Sequence, residues 1–91
     1  MERKRAIALL NSLIFVFGAI GEKRFDDARS SLANLIQRLE TDPEVESQDN
    51  ATLIAALRDA EQELNSPGAD AQGAVVILER VSRKLWKDVV L

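Results

Sequence analysis

The chain carries an uncharged run at residues 6–21, AIALLNSLIFVFGAIG, in which only Asn11 and Ser12 have polar side chains. As a helix, this run has a wide apolar side made of two adjacent rows with three- and four-residue spacing. One row is Ile7, Leu10, Ile14 and Phe17, and the other is Ala6, Leu9, Leu13, Val16 and Ile20. The opposite side holds Lys4, Ala8, Asn11, Phe15 and Gly18. A helix that is apolar nearly all round must be enclosed by its own domain, by a second copy or by lipid.

The spacing of apolar residues and chain-breaking residues predicts one all-α domain, residues 1–91, folded as a four-helix antiparallel bundle. The bundle is expected to consist of two helical hairpins, because short links join antiparallel neighbours. Gly21 is the expected stop of the first helix, and Asn65-Ser66-Pro67-Gly68 is expected to break the chain before the last one. The predicted helices cover about residues 2–21, 24–40, 50–65 and 71–89.

The second, third and fourth helices are each predicted to bury one apolar stripe. In the second helix the stripe is Phe25, Ala28, Leu32, Leu35, Ile36 and Leu39. In the third it is Leu53, Ile54, Leu57, Ala60 and Leu64. In the fourth it is Ala71, Ala74, Val75, Leu78, Val81, Leu85 and Val89, widened by Val76, Ile77, Trp86 and Val90. The fourth helix therefore resembles the first in carrying more apolar surface than one core face requires.

The composition argues against catalysis and against nucleic-acid binding. The chain has no Cys and no His, so it lacks thiolate chemistry, the commonest metal ligand and the usual general base. It also lacks a glycine-rich phosphate loop, and no metal or other cofactor is expected. The net charge of −3, with only two small basic clusters, is unfavourable for contact with phosphates. We therefore expect a protein that is not an enzyme, that binds no nucleic acid and that resides in the cytoplasm.

The apolar run predicts a buried helix of a soluble protein in preference to a membrane span. A spanning helix needs about 20 mainly apolar residues, and this run is shorter, with Asn11 and Ser12 near its middle. A secretory signal would fit the basic residues Arg3–Arg5 and the apolar run, but no A-x-A pattern follows it. The basic residues are expected to be solvated charges, and contact with an acidic partner or a membrane surface is the alternative.

Five residues are predicted to form an interface: Ala8, Asn11, Phe15, Gly18 and Trp86. Asn11 either fixes the register of a helix pair or lies at a partly exposed edge. Trp86 is expected to be a lid over the core, because an aromatic residue at helical spacing is usually buried, and an interface anchor is the alternative.

The favoured function is a small, non-catalytic interaction module that self-associates through the first helix, with a homodimer as the favoured assembly. The first alternative is a peripheral membrane protein that uses helix 6–21 and the Arg3–Arg5 cluster. The second alternative is an acidic antitoxin or immunity-type partner, which the acidic segment 38–49 permits. Residues 41–50, which overlap that segment, are expected to form a solvated loop, and an acidic docking loop is the alternative.

Overall fold

The protein is a four-helix bundle, as predicted. The computed structural model describes residues 3–41, 48–65 and 71–90. Its helices are α1 (Arg3–Gly21), α2 (Phe25–Thr41), α3 (Gln48–Asn65) and α4 (Gln72–Val90). The first helix packs against α2 and α4, and α3 packs against the same two neighbours. The helix ends agree with the predicted ones to within two residues. The predicted loop 41–50 is wrong at both ends, because Thr41 ends α2 and Gln48–Asn50 begin α3, and Asn65 of the predicted breaker is the last residue of α3. The remaining loop and breaker residues, 42–47 and 66–68, lie outside the described part.

The turn between α1 and α2 is closed by a pair of backbone hydrogen bonds. The Lys23 N–H donates to the Ile20 carbonyl at 3.0 Å, and the Arg24 N–H donates to the Ala19 carbonyl at 2.8 Å. This is the Schellman pattern that satisfies the last carbonyls of a helix. The helix ends at Gly21 as predicted, but the residue in the left-handed conformation is Lys23, with φ 61°. The short turn places α2 directly beside α1.

The core lies between the four helices, and α1 contributes much of it. Leu13 and Val16 of α1 are fully buried, together with Leu32 of α2 and Leu78 of α4. Fully burying a side chain of this kind contributes about 1.5–3 kcal/mol relative to leaving it in water. The buried residues of α1 are Ala6, Leu9, Leu10, Leu13, Val16, Ala19 and Ile20.

The predicted stripes of α2, α3 and α4 all face the core, with partial burial at their ends. In α2 every stripe residue is buried except Phe25, which is half-buried. In α3, Leu53 and Ile54 are half-buried, and the C-terminal part of the stripe is fully enclosed. The core stripe of α4 is buried except for Val75 and Val89, which pack against the edge of the core.

One of the two predicted core rows of α1 is wrong in part. Ile7 is 40% exposed and Ile14 is 66% exposed, whereas Ala19, which belonged to neither row, is buried. With 3.6 residues per turn, Ile14 lies about 100° around the helix from Leu13. The neighbouring helices cover only the arc of α1 centred near Leu13. Ile7 and Ile14 lie at the edge of the predicted apolar side, beyond this arc, and stay exposed to solvent.

Truncating Leu13 should therefore destabilise the bundle much more than truncating its exposed neighbour. We expect Leu13→Ala to lower the free energy of unfolding by about 2–5 kcal/mol, because it removes a buried side chain and leaves a cavity. The matched variant Ile14→Ala should lower it by about 0.5 kcal/mol or less, as exposed substitutions do. Urea unfolding of dilute, monomeric protein measures both values, and equal losses would contradict this assignment of the core.

Candidate interaction surface

The large apolar side chains that the fold leaves exposed are concentrated on two neighbouring helices. In the part of the chain that the structure describes, they all belong to α1 and α4, which pack against each other. We call this set the α1/α4 face, and its members are Ile7, Ile14, Phe15, Val76, Trp86 and Val90. Single exposed apolar residues are ordinary on a protein surface, but their confinement to two adjacent helices is typical of an interaction site.

The side of α1 that points away from the core is the side predicted from the sequence. Ala8, Asn11, Phe15 and Gly18 are all exposed, as is Lys4 at the start of the helix. The structure therefore brings four of the five predicted interface residues together on one helix surface. The fifth, Trp86, lies on the adjacent helix α4.

Phe15 is 50% exposed and is partly covered by an arginine from the following turn. The guanidinium carbon of Arg24 lies 6.0 Å from the centre of the Phe15 ring, which is the outer range of a cation–π contact. Arg24 is itself held by Glu22 at 3.1 Å and by Asp27 at 3.2 Å. All three charged side chains are well exposed, so these pairs contribute little stability and Phe15 remains accessible.

The two polar residues of the apolar run have different environments. Ser12 is half-buried, and its hydroxyl donates a hydrogen bond to the Ala8 carbonyl at 3.2 Å. Asn11 is exposed, so within one copy of the protein it occupies the edge position given as one of its two alternatives. Its amide is thus available to a partner at the centre of the outer side of α1.

Small residues leave open space on the same side of α1. A methyl group added at Gly18 would meet nothing within 4 Å, apart from its own helix backbone, and Ala8 is also exposed. Small residues at such positions allow another helix to approach closely.

Trp86 is not a lid over the core, because it is 55% exposed. The side of α4 that faces α3 can be identified from a groove of about 580 Å³ between the two helices. Leu53 of α3 and Ile77 and Lys84 of α4 line this groove. Trp86 follows Ile77 by nine residues, which is about 180° around a helix. It therefore lies on the side of α4 that faces away from α3. Since the other neighbour of α4 is α1, Trp86 flanks the α1 side of the fold.

The α2 and α3 side of the bundle has a different character. An ion pair joins these helices, with the Arg58 guanidinium 2.6 Å from the Glu40 carboxylate. Further along, Arg29 of α2 donates a hydrogen bond to the Asn65 side chain of α3 at 3.1 Å and also contacts Asp26. Among the described side chains, this side is polar and linked within one copy, and it carries no exposed large apolar residue.

Four members of the α1/α4 face were not predicted as interface residues. Ile7 and Ile14 were assigned to the core row of the first helix, and Val76 and Val90 were assigned to the widened core stripe of the fourth. The sequence could have identified them by their angle around the helix, measured from the row of residues that is fully buried. The larger this angle, the farther a residue lies from the core. In α4, for example, Val90 follows Leu78 by twelve residues, which is about 120° around the helix.

The first helix is long and apolar enough to cross a membrane, judged by length and composition alone. The prediction against spanning, which was based on the length of the run and on Asn11 and Ser12 near its middle, stays a prediction. Core helices of soluble proteins and N-terminal signal sequences meet the same criterion, and 39% of the most apolar window of α1 is buried in the bundle. Compartment and membrane association remain predictions.

The described residues show no group of three or more Asp or Glu side chains that could together hold a metal ion. The absence of catalysis remains a prediction. The acidic segment 38–49 was the proposed contact for a basic partner. The structure describes the side chains of residues 38–41 of this segment, and the others lie outside the described part.

No protein-family model matches the chain, and neither the curated proteins nor the solved structures contain a match to it.

Replacing Gly18 with Ala should stabilise a single copy of the protein. The added methyl group meets no neighbour, and Ala favours the helix over Gly, so we expect a gain of about 0.5–1 kcal/mol in the free energy of unfolding. The comparison variant Gly73→Ala should gain less, because its methyl group would lie 2.6 Å from the Glu63 carboxylate. Thermal unfolding at low protein concentration measures both, and a destabilising Gly18→Ala would contradict the open surface.

Proposed function

We propose that this protein is a small, non-catalytic interaction module that self-associates through the α1/α4 face. The observation that carries the proposal is the confinement of exposed large apolar side chains to two adjacent helices in the described chain. Covering such side chains with a second copy removes apolar surface from water, which is the main favourable term in most protein association.

The dimensions of the surface suit a dimer. The first helix has 19 residues and is therefore about 28 Å long. A typical stable interface buries about 800 Å² on each partner, which a helix of this length and its neighbour on the same side could provide. Phe15 and Trp86 are the best anchor candidates, because aromatic residues dominate binding energy in many interfaces.

The charged side chains on the α2 and α3 side of the molecule would limit association to the α1/α4 face. The α2 and α3 surface carries the Arg58–Glu40 pair and other exposed charges, which would lose water on contact with an apolar surface. The proposed assembly is therefore closed, with one face of each copy covered and a charged surface left in solvent. A two-fold dimer meets this requirement because it uses the same patch on both copies.

A charged residue on the outer side of α1 should abolish association, whereas the same substitution elsewhere should not. We expect Ala8→Glu to convert the protein to a monomer, because two carboxylates would have to be buried in the interface. The matched control is Ala55→Glu on α3, which replaces an exposed alanine at a similar place in a helix. Sedimentation equilibrium of the native chain and of both variants gives the dissociation constants.

The outcomes of that experiment separate two failures. A native protein that remains monomeric at high micromolar concentration would overturn self-association itself. If Ala55→Glu weakens the dimer as much as Ala8→Glu does, the protein self-associates through a different surface. Circular dichroism of both variants checks that the helices are intact.

Peripheral membrane binding is the second candidate, and the apolar character of α1 favours it. In this arrangement Arg3 and Lys4 would contact anionic headgroups while Ile14 and Phe15 enter the acyl boundary.

Anionic vesicles test this second candidate directly. If it is correct, phosphatidylserine vesicles at low salt should co-sediment with the protein and shift the emission of Trp86, the chain's only tryptophan, to shorter wavelength. Neutral phosphatidylcholine vesicles are the control and should bind less. If the protein remains in the supernatant with both vesicle types, membrane binding is contradicted, and this result leaves the self-association test unaffected.

A further inference from the structure

We propose that the two copies pair through α1 in antiparallel orientation, so that Lys4 of each copy lies beside the partner's Glu22. This orientation presupposes the self-association proposed for the α1/α4 face. It goes beyond that proposal by fixing the direction of the partner helix and the charged contacts that close the interface.

The spacing of exposed residues on α1 defines the contact line between the helices. Six positions alternate in steps of four and three residues, and every one of them is exposed: Lys4, Ala8, Asn11, Phe15 and Gly18 in α1, and Glu22 immediately after its last residue. This alternation is the heptad pattern by which two helices keep one seam in contact. We call these six positions the α1 seam.

An antiparallel pair pairs each seam position with another seam position when its two-fold axis crosses the seam midway between Asn11 and Phe15. Lys4 then lies opposite the partner's Glu22, and Ala8 lies opposite the partner's Gly18. Two small residues face each other in the second of these layers, which permits close approach of the helix backbones. Asn11 lies opposite the partner's Phe15, where a short polar side chain leaves room for the ring.

The charges of α1 favour this direction over a parallel one. The first turn of α1 contains no acidic residue, and Arg3 and Lys4 lie at the positive end of the helix dipole. An antiparallel partner brings the negative end of its own dipole, together with a glutamate, next to these cations. A parallel partner would instead place Lys4 against the partner's Lys4 and would add the two positive ends together.

Glu22 is suitably placed for this role. Its side chain is 67% exposed, and its contact with Arg24 at 3.1 Å is a surface pair. A carboxylate has two oxygens with several acceptor sites, so it can accept a second cation without giving up the first. The pair with the partner's Lys4 would form twice in a symmetric dimer, once at each end of the seam.

Charge reversal tests the proposed contacts. We expect Lys4→Glu and Glu22→Lys each to raise the dimer dissociation constant about tenfold or more at low salt, because each places like charges together at both ends. The double variant K4E/E22K restores opposite charges and should return the constant to within about threefold of the native value. Glu63→Lys makes the same charge reversal on α3, away from the seam, and is the control. It should leave the dimer dissociation constant unchanged. Sedimentation equilibrium measures all four variants against the native chain.

Disulfide cross-linking tests the direction of the helices without relying on charge. The chain has no cysteine of its own, so an introduced thiol is unique. In the antiparallel seam two copies of Ala8→Cys are displaced along the helix by about ten residues, or about 15 Å, which is too far for a disulfide. Ala8→Cys alone should therefore not cross-link under mild oxidation, whereas an equimolar mixture of Ala8→Cys and Gly18→Cys should give a covalent heterodimer.

Two results would overturn the antiparallel orientation while leaving self-association intact. One is a native dimer whose dissociation constant does not respond to Lys4→Glu or Glu22→Lys, and the other is efficient cross-linking of Ala8→Cys with itself. A native chain that is monomeric at high micromolar concentration would overturn both proposals together.

Discussion

The burial of one side of α1 is the interaction on which the rest of the structure depends. Among the described side chains, α1 supplies seven buried residues, whereas α2 supplies five. Leu13 and Val16 lie at the centre of that side and are fully enclosed. Isolated helices of this length are marginal in water, and packing of an apolar stripe supplies most of their stability. The stripes of α2 and α4 pack against this side of α1 from the two neighbouring helices.

The same apolar character gives α1 an unusual outer surface. A helix in a four-helix bundle contacts two neighbours, so part of its circumference always remains uncovered. The uncovered part of α2 carries charged and polar residues such as Asp27, Asn34 and Arg38. The uncovered part of α1 carries Ile14 and Phe15 instead. Sequences usually agree with their fold at every level, and departures concentrate at functional sites. The outer side of α1 is therefore the surface on which the proposed self-association is based.

The helices and their order could be predicted because they depend on local signals. Apolar spacing and chain-breaking residues locate each helix, and the two-to-three-residue link at Gly21 forces α1 and α2 to be antiparallel neighbours. The boundary of the core could not be predicted in the same way. Around the axis of α1, Ile14 lies about 100° from the buried Leu13. Around the axis of α4, Trp86 lies about 80° from the buried Leu78. Both residues are therefore at the edge of the apolar side of their helix. Which margin is covered depends on where the neighbouring helices lie, and that information is not contained in either helix alone.

Asn11 favours the proposed protein partner over lipid as a cover for the outer side of α1. It is exposed and lies at the centre of this side, between Ala8 and Phe15. Acyl chains accept no hydrogen bonds, so inserting this amide would leave its donors unsatisfied at a cost of about 1–3 kcal/mol. In the proposed pair Asn11 faces the partner's Phe15 ring, so its amide turns to water or to a polar atom of the partner at the edge of the seam, which acyl chains do not offer. A residue that weakens membrane insertion therefore adds specificity to a helix pair.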